Sequence, residues 1–174
     1  MSTARTDQSL IARAIRAAQL DNDTYEAIEH DPAATREAAI IVVVTSLLAG
    51  VGAGLTSGVY GLLLVVVAGI VGWAAYAFLT YFIGTRLLAG PETRASWSEL
   101  ARTLGYANAP RALLVVGAVP VLGAIAGVVV LVWVLMTTVV ALRAALDFST
   151  GRAIGTALLG WIIQGIVFAI AIAA

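Results

Sequence analysis

The sequence predicts an all-α, polytopic membrane bundle of five transmembrane helices, preceded by a short amphipathic segment. Three observations carry this. Apolar residues make up 61% of the 174 positions and charged residues only 11%, against about 25% charged in a typical soluble domain. Long uncharged runs approach or exceed the roughly 20 residues that a helix needs to cross a hydrocarbon core. The arginines fall on alternate connecting segments, as a multi-pass chain with one positive side requires. No single core could hide so much apolar surface. The formal net charge of zero excludes a nucleic-acid binder, which needs a basic excess, and an acidic disordered chain.

Two domains are expected: an N-terminal segment over 1–31, placed in the cytoplasm, and a membrane domain over 32–174. Leu10, Ile11, Ala14, Ile15 and Ala18 share one helical face, with Arg13, Arg16 and Gln19 on the other. This helix either lies on a membrane surface or packs on the rest of the chain. Asp23 and Glu26 have capping-box spacing for a helix over 24–29. Asp31-Pro32 is a second start signal, since Asp caps free N–H groups and Pro suits the first turn.

The first span is expected over about 38–55, followed by a break at Thr56-Ser57-Gly58. The second runs over about 59–83, ends in Tyr76, Tyr81 and Phe82, and exits at Arg86. Pro91 then opens a short helix over 96–104, with Trp97, Leu100 and Leu104 on one face. The uncharged block from Ala112 to Leu142 is 31 residues. As one helix it would be about 46 Å long, well beyond a core of about 30 Å. Pro120 and Gly123 divide it into spans over about 107–119 and 124–143. The first of these is short, so it must tilt or borrow depth from the helix before it. Ser149 or Thr150 caps the last span, over about 152–173.

The arginine positions test this count. With the N-terminus inside, the inner segments 1–37, 84–111 and 143–152 hold all ten arginines, and the outer segments hold no charge. A four-span chain would place Arg143 and Arg152 outside. The positive-inside rule therefore favours five spans, with the N-terminus in the cytoplasm and the C-terminus outside the cytoplasmic membrane. There is no signal-peptide pattern at the start. Every basic residue is arginine, a bias that fits a GC-rich prokaryotic genome.

Small residues line several spans: Ala49, Gly50, Ala53 and Gly54, then Ala68 and Gly72, then Gly123 and Gly127. They permit close helix packing within the chain or between copies. Gln164 is the one strongly polar side chain deep in a span, placed to hydrogen-bond a neighbouring helix. No ionisable residue sits at mid-membrane, as proton-coupled transporters and voltage sensors require. The chain has no cysteine and one histidine, His30, too few for a typical zinc set. Hydrolase and phosphate-loop motifs are absent. No cofactor, metal or catalytic residue is expected.

The run Leu104-Gly105-Tyr106-Ala107-Asn108-Ala109-Pro110, the segment Val119-Pro120-Val121-Leu122-Gly123 and the exit Trp133…Ala141-Leu142-Arg143 with Ser149-Thr150-Gly151-Arg152-Ala153 resemble the Yip domain family. The resemblance covers roughly 25–174. It implies a small five-span membrane protein. Eukaryotic members are linked to Ypt/Rab GTPases, vesicle traffic and membrane shaping, through an Asp-Leu-Tyr-Gly-Pro-type motif before the first span. Here that region offers only Tyr25-Glu26-Ala27, so the chain looks more like the prokaryotic members. The family-like residues, and a possible interaction surface, are Gly105, Tyr106, Pro110, Pro120, Arg143 and Gln164. The expected function is non-enzymatic: organising partner proteins or bilayer shape through the cytoplasmic face. The alternatives are an accessory subunit of a larger membrane complex, or a small-solute transporter or channel. Expected partners are membrane lipids and unidentified proteins, either further copies of the chain or a larger complex.

Overall fold

The computed structural model of the chain describes residues 9–90, 93 and 95–173. Every regular element in it is helical. Two short helices come first: α1 (Leu10–Ala18), capped by Ser9 Oγ, which accepts from the Ala12 N–H at 3.3 Å, and α2 (Asn22–Glu29). The helix starts two residues earlier than a cap at Asp23 would place it. Asp21 is the N-cap, and its carboxylate accepts from the Thr24 hydroxyl at 2.7 Å instead of from a backbone N–H.

α3 (Ala34–Phe82) holds the first two expected spans in one element of two arms. Its start follows Asp31, whose carboxylate accepts from the Ala33 N–H at 3.0 Å. The arms meet at Gly58, with φ 67° and ψ −167°, a conformation open essentially to glycine alone. They then run antiparallel. A Cβ on Gly50 would come within 3.2 Å of the Leu62 carbonyl, and Gly69 lies against Ser46. At Gly50 the small stripe on the first arm therefore packs within the chain. The second arm ends in one π-helical turn, Ile83–Leu87, which contains Arg86.

α4 (Trp97–Ala107) starts with a complete capping box. Ser96 Oγ accepts from the Glu99 N–H, and the Glu99 carboxylate accepts from the Ser96 N–H at 2.7 Å. Of its predicted apolar face, Leu100 and Leu104 are buried and Trp97 is exposed. Pro91 lies outside the described residues.

The expected third span, 107–119, takes an unexpected form. It is a ten-residue 3₁₀ helix, Ala109–Ala118, that continues α4 through Asn108. Its length is about 20 Å at 2.0 Å per residue, so its depth comes partly from α4. It packs against α3 and α5. α5 (Pro120–Leu146) starts with Pro120 in its first turn and doubles back beside it. A Cβ on Gly123 would come within 2.9 Å of the Gly117 carbonyl, which explains the glycine pair at this turn. α5 ends on Asp147 in the left-handed region, and α6 (Thr150–Ala173) follows.

Among the described residues, four helical segments can cross a membrane by length and composition: Ala34–Val51, Gly58–Leu87, Val121–Leu146 and Thr150–Ile170. The core does not sit among them evenly. It gathers at one end, where α1, α2, α4, both ends of α3, the end of α5 and the start of α6 meet. Ala17, Ile28, Ala38, Leu104, Leu142 and Ala153 all lie there, fully or almost fully buried. Towards the other end the helices expose their apolar side chains, from Val121 to Met136 on α5 and from Leu158 to Ile170 on α6. A packed cap thus sits on a bundle whose outer surface is fit for lipid.

Candidate functional site: the charged cap and the cleft beneath it

The cap is held by polar contacts between residues far apart in the sequence. Arg13 Nη1 donates to Asp31 Oδ2 at 3.0 Å and to Glu37 Oε2 at 2.8 Å. Its guanidinium also lies 5.4 Å from the centre of the Tyr106 ring, within cation–π range. The Tyr106 hydroxyl donates to the same Glu37 carboxylate. Arg102 donates through Nε to the Glu29 backbone carbonyl at 2.8 Å, tying α4 to the end of α2. The buried Tyr25 hydroxyl donates to the Ala17 carbonyl at 3.1 Å, and the Trp133 indole N–H donates to the Ala18 carbonyl at 2.6 Å.

These contacts turn α1 in an unusual way. Leu10, Arg13, Ala14 and Ala17 face inward at helical spacing, and the Arg13 side chain is 14% exposed. Ile11 and Ile15 face outward, 68% and 52% exposed. The predicted polar face thus supplies the inward charge, and part of the predicted apolar face is left uncovered. Trp133 lies 13 residues before the end of α5. The end of α1 is therefore level with the middle of α5, where the exposed apolar surface begins.

The Glu29 carboxyl is 11% exposed, and Arg102 binds its backbone carbonyl rather than its carboxylate. Burial therefore pushes its pKa up to about 7, opposed by neighbouring His30 and reinforced by Glu26, Asp147 and Glu99. Glu26, Glu29 and His30 bring their ligand atoms within 4.8 Å of one another. His30 Nδ1 is already engaged, donating to the Glu26 carbonyl at 2.8 Å. That hydrogen bond raises the His30 pKa. The group reads as a helix C-terminus finishing its own carbonyls.

The six residues singled out in the sequence do not converge. Gly105, Tyr106 and Pro110 are buried along the α4-to-3₁₀ segment. Gly105 lets α4 touch α3, since a Cβ there would come within 2.5 Å of the Ala38 Cβ. Tyr106 works from inside the cap rather than from its surface. Arg143 is exposed in the last turn of α5, and Pro120 lies in that helix's first turn at the opposite end. Gln164 donates to the Gly72 carbonyl at 2.8 Å, a link from α6 to α3 of the kind its depth suggested. The residues that sequence reasoning missed are Arg13, Asp31, Glu37 and Trp133 as one clamp. Their contacts span 18 to 115 positions, so no local pattern marks them.

Beneath the cap lies a cleft of about 490 Å³ between the second arm of α3, the α4-to-3₁₀ segment, α5 and α6. Tyr76, Asn108 and Thr138 line its cap-side end, Arg111 and Gln164 lie further down, and Val65, Gly127 and Phe168 line its far end.

A family model of the Yip1 domain matches residues 21–172, which includes α2 and every later helix. No curated protein and no solved structure matches the chain. The match extends over nearly the whole chain, and the helices within it are apolar and long enough to cross a membrane, so this multi-pass membrane protein belongs to the Yip1 domain family.

Proposed function

We propose that the chain is a non-enzymatic organiser of the bilayer and its surface, working through the charged cap on the cytoplasmic side of the cell's inner membrane. The observation that carries this reading is the orientation of α1. Arg13 is pinned inward and Ile11 and Ile15 are held outward, on a helix whose end meets the middle of α5 at Trp133. A helix presented in that way inserts its apolar side chains at the acyl–headgroup boundary.

The topology that accompanies this reading has five crossings, with the 3₁₀ helix and α4 together forming the third. Support comes from the gathering of α1, α2, α4, the end of α5 and the start of α6 at one end, which brings the arginine-bearing segments together. The chain is free of cysteine, so single-Cys probes report each side directly. A probe at Ser57 is expected to label from outside and one at Ser149 only from inside. Labelling of Ser149 from outside overturns the topology.

The functional test is reconstitution into liposomes of the full chain and of an Ile11→Ser/Ile15→Ser double variant. The full chain is expected to shift vesicle size and curvature. The double variant is expected to lose that effect with its helical content unchanged. Equal remodelling by both overturns the reading. Stoichiometric co-purification with large subunits from native membranes would favour an accessory subunit instead.

A further inference from the structure

We propose that the cleft beneath the cap is a binding site for an anionic membrane lipid, with the headgroup phosphate held at Arg111 and one acyl chain laid along the apolar end. The first support is the state of Arg111. Among the described residues its guanidinium meets one partner, the Asn108 side-chain carbonyl at 3.2 Å, and no carboxylate within ion-pairing distance. The other arginines brought into the cap interior, Arg13 and Arg102, both have acidic partners. Arg111 stands instead at the head of the 3₁₀ helix, lining the cleft. A guanidinium beside apolar helices is costly without an anion, and its fork of donors matches phosphate oxygens.

The second support is the polarity of the cleft along its length. α3's second arm and α5 both run from the far end towards the cap, so Val65 and Gly127 lie far from the cap, with Tyr76 and Thr138 near it. The charged group and most polar groups thus lie on the cap side of an apolar end lined by Val65, Gly127 and Phe168, and the polar side chain set deeper, Gln164, already donates to the Gly72 carbonyl. A free phosphate has no use for the apolar end. The third support is how the space arises. A Cβ on Gly127 would meet nothing within 4 Å, so the missing side chain opens the cleft rather than permitting helix contact. The volume, about 490 Å³, falls in the usual range of small-molecule sites, about 300–1,000 Å³.

The test uses the full chain purified in mild detergent, with native mass spectrometry and thermal melting as readouts. The probes are phosphatidylglycerol, phosphatidylcholine and inorganic phosphate. Phosphatidylglycerol is expected to remain bound and to raise the melting temperature, with little effect from the other two. Arg111→Gln is expected to weaken phosphatidylglycerol binding about tenfold, by loss of the charge-assisted contacts, and Arg111→Lys to recover only part of it, because an ammonium keeps the charge without the fork. Gly127→Leu fills the open space without touching the polar end and is expected to displace the lipid from a folded protein. If Arg111→Gln does not fold, Gly127→Leu alone decides. Unchanged binding in Gly127→Leu overturns the proposal. So does equal binding of phosphatidylcholine, or full stabilisation by inorganic phosphate alone, which would mark an ion site.

Discussion

Arg13 and Glu37, 24 positions apart, are joined at 2.8 Å, and through that pair the N-terminal helix is fixed to the base of the first crossing. The guanidinium also meets Asp31 and the Tyr106 ring. Three helices that share no local sequence relationship are thereby made one unit.

Arg13→Ala leaves two carboxylates without their cation and removes the clamp on α1. The carboxylates keep partial access to solvent, at 29% and 37% exposure. The expected cost is therefore about 2 kcal/mol, below the value for a fully buried pair. Thermal unfolding in detergent measures it. Limited proteolysis should show α1 released first.

Gly105→Ala and Tyr106→Phe separate backbone approach from hydrogen bonding. An added Cβ at Gly105 would press on Ala38, including its backbone atoms, so α3 and α4 must move apart, at about 1–3 kcal/mol. Tyr106→Phe keeps the ring under Arg13 and loses only the bond to Glu37, at about 1 kcal/mol. The melting temperature of Gly105→Ala is expected to be the lower of the two.

Glu29 makes the cap sensitive to pH. Its folded pKa is raised to about 7 from an ordinary 4.5, so between those values the folded state holds more protons than the unfolded state. Its contribution to stability is greatest below about pH 4.5 and falls as pH rises towards 7. The raised His30 pKa acts in the same direction, its stabilisation being lost as pH rises through the folded value. Glu29→Gln is expected to flatten the dependence of melting temperature on pH across 5–8. An unchanged slope would assign it to other groups.

Gly58→Ala tests the hinge between the arms of α3. No atom crowds the added methyl group, so any loss comes from the backbone conformation alone, at about 1–3 kcal/mol. Ala at Gly151, where an added Cβ also meets nothing within 4 Å and the backbone is helical, is expected to be neutral or slightly stabilising. Parallel melts of the two variants compare them.

The long crossings were legible because an uncharged run of sufficient length has one solution in a bilayer, a helix with its backbone bonded internally. Ser96 and Glu99 were less direct: the helix was expected to start at that serine, and the structure completes the start with a capping box. The 3₁₀ form of residues 109–118 was not legible. In a uniformly apolar stretch, periods of 3.0 and 3.6 leave no contrasting pattern to tell them apart. The inward turn of Arg13 was hidden for the opposite reason. Local amphipathicity assigns an arginine to the outer face, and only Asp31, Glu37 and Tyr106 arriving together reverse it.

By itself, the sequence determined that this is an all-helical membrane protein and where its long helices break. Hydrophobic run length, proline, glycine and arginine placement act locally and are read without coordinates. The tertiary structure decided which residues meet: the clamp on α1, the burial of Tyr106, the close approach at Gly105 and the cleft that holds Arg111. Those depend on contacts between segments tens of residues apart, where the gain comes from burying and pairing groups jointly, and no single stretch of chain encodes that.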